Sequence, residues 1–179
     1  MIHTIDNSEL AHEDRTSENF KYQKELTGKL DTLSGDFDQN IINEIVLWKV
    51  NRYARLSEKA FELLNKIDDR SSDLDEDLSR HVLIALLNCN GIQLPMASTI
   101  LRFKKPNIYQ IIDQRVFRFL YGEVATYPRD KNDAAALYLR YLRDLRTKCD
   151  KHSIPFIEAD RILYLADKRL NKSQRLNNY

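Results

Sequence analysis

The sequence predicts an all-α protein, a helical bundle with one apolar core. Three observations carry that expectation. The 179 residues hold only four glycines and four prolines, whereas average usage of the two is roughly 12%, so there are too few chain-breakers for the turns of a sandwich or barrel. Apolar residues recur at helical spacing through most of the chain. No segment alternates convincingly with period two, and only the short run IYQII, residues 108–112, is β-prone. The length fits one domain or two small lobes sharing a core, and it buries enough apolar surface without staples.

The elements follow in order. Residues 1–36 are polar, with four basic and eight acidic side chains, and are expected to be a flexible segment; Phe20, Tyr22, Leu26, Leu30 and Leu33 mark a short helix inside it that ends near Gly35. Asp38 to Lys66 is strongly periodic through Ile41, Ile42, Ile45, Val46, Val50, Tyr53, Leu56, Phe61 and Leu64. At 29 residues it is one helix or two broken near Leu56–Ser57, with Asp38 or Asn40 as N-cap. Asp68 to Asp77 reads as an acidic loop, and Asp73 or Asp75 caps a helix over Glu76–Leu87. Pro95 opens a helix to Phe103, because a first-turn proline lacks an N–H that has no partner there anyway. Asp113 begins a helix that Gly122 stops. Asp133 to Lys151 is a long amphipathic helix, and Phe156 to Leu170 is the last. A single domain over 37–171 and a disordered tail over 172–179 complete the expectation.

Composition also excludes. Charged residues are 31% of the chain, and no apolar run approaches the ~18–20 residues of a membrane span. The polar, acidic start is unlike a signal peptide, so a soluble, cytoplasmic protein without a membrane partner is expected. Two cysteines, Cys89 and Cys149, make neither a disulfide framework nor a four-cysteine cluster, and Cys89 reads as a small core residue. His81 and His152 have no partners at metal spacing, so no zinc or calcium site is expected. There is no P-loop, dinucleotide fingerprint or Ser–His–Asp pattern. The net charge of +1 averages unlike parts. Residues 1–36 carry −4 and residues 37–80, with seven basic and ten acidic, carry −3. Residues 81–179, with seventeen basic and nine acidic, carry +8. That asymmetry suggests a polyanionic partner for the second half, although on the 140–151 stretch much of the charge spreads round the helix as a solvated face.

One motif stands out. LIALLNCNGIQLPMASTIL, Leu83 to Leu101, reads as apolar helix, tight turn at Gly91 and apolar helix. The start of its second helix offers free N–H groups and a helix dipole, both suited to a phosphate; an ordinary core hairpin has the same pattern. Eighteen residues after Pro95 stands Asp113, in Ile112-Asp113-Gln114-Arg115-Val116-Phe117-Arg118. Together, over about Leu83–Leu120, the two segments resemble the helix-hairpin-helix DNA glycosylase superfamily that includes endonuclease III and the oxoguanine glycosylases. Gly91 to Ala97 falls on that family's G-V-G-x-K-x-A, and Ile112 to Arg118 on its V-D-T-H-V-x-R. The family's fold is a helix-hairpin-helix bundle. Asp160-Arg161-Ile162-Leu163-Tyr164 would belong to its closing helix.

The resemblance implies a double-stranded DNA partner and base excision. Asp113 would be the catalytic carboxylate, stabilising positive charge on the sugar or activating water; an aspartate starting a helix is equally an N-cap. Asn90, Gly91, Gln93 and Pro95, with Lys104 and Lys105, would contact DNA phosphates, and a K⁺ or Na⁺ would bridge hairpin carbonyls to phosphate. Of Arg115 and Arg118, one would contact phosphate and the other pair with an acid, in an order the sequence leaves open. The chain departs from the family at Gln93, where a glycine is expected, and at Pro95, where a lysine is. It also has no iron–sulfur cysteines. Without an amine at the lysine position the expected enzyme is a monofunctional N-glycosylase with no lyase step; the alternative is a non-catalytic module that binds DNA or protein. A flipped base needs an aromatic or apolar pocket. Trp48, Tyr53 and Phe61 are candidates for one, with Lys49, Arg52 and Arg55 interleaved around Trp48, or else Trp48 is core and its basic neighbours snorkel.

Overall fold

The structure, a computed structural model, describes residues 2–18, 20, 24–49, 56–68, 70 and 72–176. Among them the chain forms eight α-helices, two short 3-10 turns and no strand, so the class is all-α. None of these helices is long and apolar enough to cross a membrane.

Side-chain caps set most boundaries. After α1 (Lys24–Asp31), Asp38 starts α2 (Gln39–Lys49) by accepting from the Ile41 N–H at 2.9 Å. Ser57 starts α3 (Glu58–Asn65) through Ala60 at 3.2 Å. The periodic stretch from 38 to 66 is therefore two helices; Val50, Arg52, Tyr53 and Arg55 lie outside the described residues. Asp75 caps α4 (Glu76–Leu87) through Leu78 at 2.9 Å. A turn with Gly91 at φ +81° leads to α5 (Leu94–Lys104). Asp113 caps α6 (Gln114–Tyr121), and Gly122 ends it at φ +80°. Asp130, not Asp133, caps α7 (Lys131–His152), because the Asp130 carboxylate takes the N–H groups of both Asn132 and Asp133. Residues 156–158 form a 3-10 turn, and α8 begins at Ala159 and runs to Leu170.

Helix α5 is the centre. Every residue from Leu94 to Lys104 is buried, with α2, α4 and α7 packed around it. Ala97 and Ser98 keep it thin enough for that. After it, residues 109–113 are neither helix nor strand, and all but Asp113 are buried. Such a stretch must find hydrogen bonds outside any ladder. Tyr138, Tyr141 and Tyr127 donate their hydroxyls to the carbonyls of Gln110 (2.9 Å), Ile111 (2.7 Å) and Ile112 (3.2 Å). Ser98 Oγ accepts the Ile112 N–H at 3.1 Å. The Gln110 side chain donates to the Pro106 carbonyl at 2.7 Å and accepts the Asp160 N–H at 3.2 Å, tying the stretch to the start of α8.

The amino-terminal segment differs from the flexible tail expected of it. Ile5, Leu10 and Asp14 are buried. The Ile5 N–H donates to the Phe119 carbonyl at 2.7 Å. Asn171 exchanges hydrogen bonds with the His3 backbone, and Asp14 holds Arg169 through both carboxylate oxygens. The apolar side chains are few and spaced for no regular element, so periodicity could not reveal them. At the other end, the carbonyls of Gln174 and Arg175 accept from Arg118, so residues 174 and 175 are tied to α6.

Two consequences are measurable. Arg118 is 0% exposed and bidentate on Asp167, Nε to Oδ1 at 2.8 Å and Nη2 to Oδ2 at 2.6 Å. Removing the carboxylate strands the buried guanidinium, which then meets only neutral carbonyls, so Asp167→Ala should lower unfolding stability by about 3–5 kcal/mol in urea titrations. Burial also pushes up the Cys149 thiol, from its ordinary 9.0 to about 12. It does the same to the hydroxyls of Tyr109, Tyr121, Tyr138 and Tyr141 above 10.0. These groups stay protonated in the fold while the unfolded chain releases protons, so their stabilisation is complete below pH 9 and is lost as pH rises. Urea midpoints should fall between pH 8 and pH 10.5; a rise would contradict the burial of these groups.

Candidate active site

The ends of α2 and α5, the start of α6 and the first turns of α8 converge on a cleft of about 180 Å³. Its walls are largely aromatic and apolar: Trp48 from α2, Phe103 from α5, Ile111 and Val116 around the start of α6, and Tyr164 from α8, with Phe20 alongside. Trp48 is 4% exposed, donates Nε1–H to Thr27 Oγ1 at 2.6 Å and meets Phe103 edge-on, with ring centroids 5.3 Å apart. It is therefore at once a core residue and a wall of the cleft. Phe20 and Tyr164 pack edge to face, 6.2 Å between centroids.

Five charged side chains, Lys49, Arg102, Asp113, Asp160 and Arg161, give the cleft its polarity. Asp113 Oδ1 accepts the Arg115 N–H at 2.8 Å, as a cap does. Its Oδ2 stands 3.9 Å from Lys49 Nζ, too far for a hydrogen bond, and both side chains are 20% exposed. Capping and facing a cleft are thus compatible: one oxygen serves the helix and the other remains toward Lys49 and solvent. Deeper in the wall lie Arg102 and Asp160, 3% and 4% exposed. Asp31 reaches into the same group, accepting from Arg102 Nη1 at 3.1 Å and pairing with Arg161.

The structure brings Trp48, Lys49 and Asp113 into one cleft; Phe61, on α3, is not among its lining residues, and Arg52 and Tyr53, expected beside them, lie outside the described residues. Several expected phosphate contacts are corrected. Arg118 is fully buried on Asp167. Arg115 pairs with the same carboxylate at 3.2 Å and is 26% exposed, so both arginines pair with one acid. Lys104 is buried, donates Nζ–H to the Gly35 carbonyl and lies 5.4 Å from the centre of the Phe37 ring. Lys105 and Pro95 are buried too. For Pro95, Lys104 and Lys105 the cause is the packing around α5, whereas Arg115 and Arg118 are turned inward by Asp167 of α8. Asn90, Gly91 and Gln93 are exposed at the hairpin. Gln93, at the N-cap of α5, makes no side-chain cap.

Other residues of the region went unread in the sequence. Lys131 reaches the hairpin, donating Nζ–H to Asn88 Oδ1, across 43 residues that no spacing rule connects. Arg102 and Phe103 of α5 share the cleft with Asp160 and Tyr164 of α8, where the Arg102 side chain comes within 3.4 Å of Asp160. Tyr138 and Tyr141 carried a signal, since an inward tyrosine needs a partner for its hydroxyl. Asp113→Ala should cost about 1 kcal/mol of stability through the lost cap, whereas Asp113→Asn should cost less than half of that. Thermal melts of the two variants beside wild type measure this.

No family model matches the chain, and neither a curated protein nor a solved structure matches it significantly.

Proposed function

We propose that the protein is a DNA base-excision enzyme, a monofunctional N-glycosylase with a helix-hairpin-helix glycosylase-like bundle, acting on a flipped damaged or modified base. One observation carries the reading: a cleft of about 180 Å³ with aromatic walls has the Asp113 carboxylate, partly solvent-exposed, at its edge. An apolar cavity of about 150 Å³ holds a benzene ring, so the cleft accepts a flat ring system, and its aromatic walls suit stacking on a flipped base. As the glycosidic bond lengthens, positive charge grows on the sugar. A fixed carboxylate at the cleft edge stabilises that charge or takes a proton from attacking water. Asp113 is fixed, because the cap holds one oxygen and leaves the other for chemistry. Lys49 balances its charge from 3.9 Å.

DNA phosphates would meet the exposed hairpin, through the uncapped start of α5 near Asn90, Gly91 and Gln93, with Lys131 beside it. The Cys89 carbonyl accepts the Ile92 N–H and that of Gln93 accepts the Ala97 N–H. Among the described residues, the intervening carbonyls of Asn90, Gly91 and Ile92 accept no backbone hydrogen bond of the hairpin, and they would hold a K⁺ or Na⁺. When bound, that ion supplies positive charge between hairpin and phosphate. The buried Pro95 supplies no amine, which supports the monofunctional reading.

The test is incubation with duplex oligonucleotides carrying a panel of base lesions, followed by alkali to reveal abasic sites. Wild type should generate strand breaks after alkali on at least one lesion, and Asp113→Asn should lower the rate by about 10²-fold or more. Borohydride should trap no covalent adduct; a trapped adduct lost in Lys49→Met would make Lys49 a nucleophile and overturn the monofunctional reading. Duplex binding that falls steeply with salt, without product from any lesion, would instead establish the non-catalytic module.

A further inference from the structure

Among the described side chains that line the cleft, Phe20 alone comes from the amino-terminal segment rather than from the helices or the 109–113 stretch. The other aromatic walls are fixed. Trp48 and Phe103 are buried and pack on each other, and Tyr164 stands within α8. Phe20 is half-buried, edge-on to Tyr164, with the Arg161 guanidinium 5.3 Å from its ring centre. Its place is set from the amino-terminal side. The Phe20 N–H donates to the Ser17 carbonyl at 2.8 Å. Ser17 in turn gives its N–H and its hydroxyl to the Glu158 carboxylate, at 3.2 and 2.7 Å. Upstream, Arg15 donates to the His152 carbonyl, Asp14 holds Arg169, and Asp6 pairs with Lys148. Residues 3–17 are thus a strap that reaches the last turns of α7 and α8 and leads to Phe20.

The strap is held by two unlike means. Ile5 and Leu10 are buried, but the Asp6–Lys148 pair is partly exposed on both sides, and Arg169 is exposed beyond Asp14. Ion pairs so placed are weak and are screened by salt. The cleft that the strap borders is small. A cavity of about 150 Å³ holds one benzene ring, so about 180 Å³ admits a single ring and little more. A larger ligand enters only if a wall moves, and a wall carried by a lightly held segment moves at less cost than one carried by a packed helix.

We infer that the strap is a latch on the cleft, with Phe20 as its gate: release of residues 3–17 takes Phe20 off Tyr164 and widens the cleft, and ionic strength sets the fraction released. The inference goes beyond the excision reading, because it concerns entry to the cleft and not the reaction inside it.

Trp48 is the only tryptophan of the chain and a wall of the cleft, so its fluorescence reports entry. The experiment uses the full chain and 4-hydroxy-TEMPO, a neutral nitroxide quencher bulkier than a planar ring. Quenching should be slight in about 0.1 M salt and should rise about twofold or more in about 1 M salt. Phe20→Ala should raise it already at low salt. Asp14→Asn should do the same, although neither Asp14 nor its partner Arg169 lines the cleft. In the Phe20→Ala background neither Asp14→Asn nor salt should add anything, because the gate is already gone. Circular dichroism checks that the helices persist; should Asp14→Asn unfold, Asp6→Asn removes the more exposed pair and takes its place. Quenching unchanged by the latch variants would overturn the inference. So would an equal rise with and without Phe20, which would make the opening a general loosening of the bundle. The lesion panel is a separate measurement. A cleft that opens without excising any base keeps the latch and removes the enzyme, whereas excision with salt-independent quenching does the reverse.

Discussion

A stretch of backbone that is neither helix nor strand runs through the interior over residues 109–113, and much of the molecule is arranged to satisfy it. Its carbonyls and its Ile112 N–H depend on Tyr127, Tyr138, Tyr141 and Ser98. Unmade, each of these hydrogen bonds would leave a buried peptide group at a cost of about 1–3 kcal/mol. The long helix α7 must therefore sit where two of its tyrosines reach Gln110 and Ile111. Helix α5 must present Ser98 to the Ile112 N–H, and α8 must begin within reach of the Gln110 side chain. Asp113 is the first residue past this clamp, which explains how a partly exposed carboxylate is held still.

Helix class, caps and the hairpin were legible because they are local. A polar residue before a periodic run, a glycine after it and a proline in a first turn all act within four or five residues. Asp38, Ser57, Asp75, Asp113 and Gly122 behave as such spacing implies. The cleft was half legible. Trp48, Lys49 and Asp113 stood out through residue type and motif, whereas Arg102, Phe103, Asp160 and Tyr164 gained their place through contacts distant in sequence, such as Arg102 with Asp160. Residue type could not reveal that the carboxylates of Asp160 and Asp167 face inward, since their arginine partners lie 58 and 49 residues away in sequence.

The basic second half of the chain has two populations. Arg102, Lys104 and Arg118 are internal, each spent on a carboxylate, a carbonyl or an aromatic face. On α7, Arg143 pairs with Glu76, Lys148 with Asp6, and Arg146 lies 3.8 Å from the centre of the Phe156 ring. A formal surplus of charge is therefore a poor measure of the field that a polyanion would meet. The part able to act at a distance is smaller and includes Lys131 near the hairpin.

The amino-terminal segment has a topological consequence. His3 meets Asn171 across 168 positions, and Ile5 and Asp14 dock on residues from α6 and α8. Closing so long a loop gains nothing until both of those helices are in place, so docking is a late event in folding. It is correspondingly an early event in opening. A strap that leaves first uncovers Asn171 and the flank of Asp167 while the bundle is still assembled. Release of the strap with the helices intact would show as amide exchange in residues 3–15 that is faster than exchange in α5.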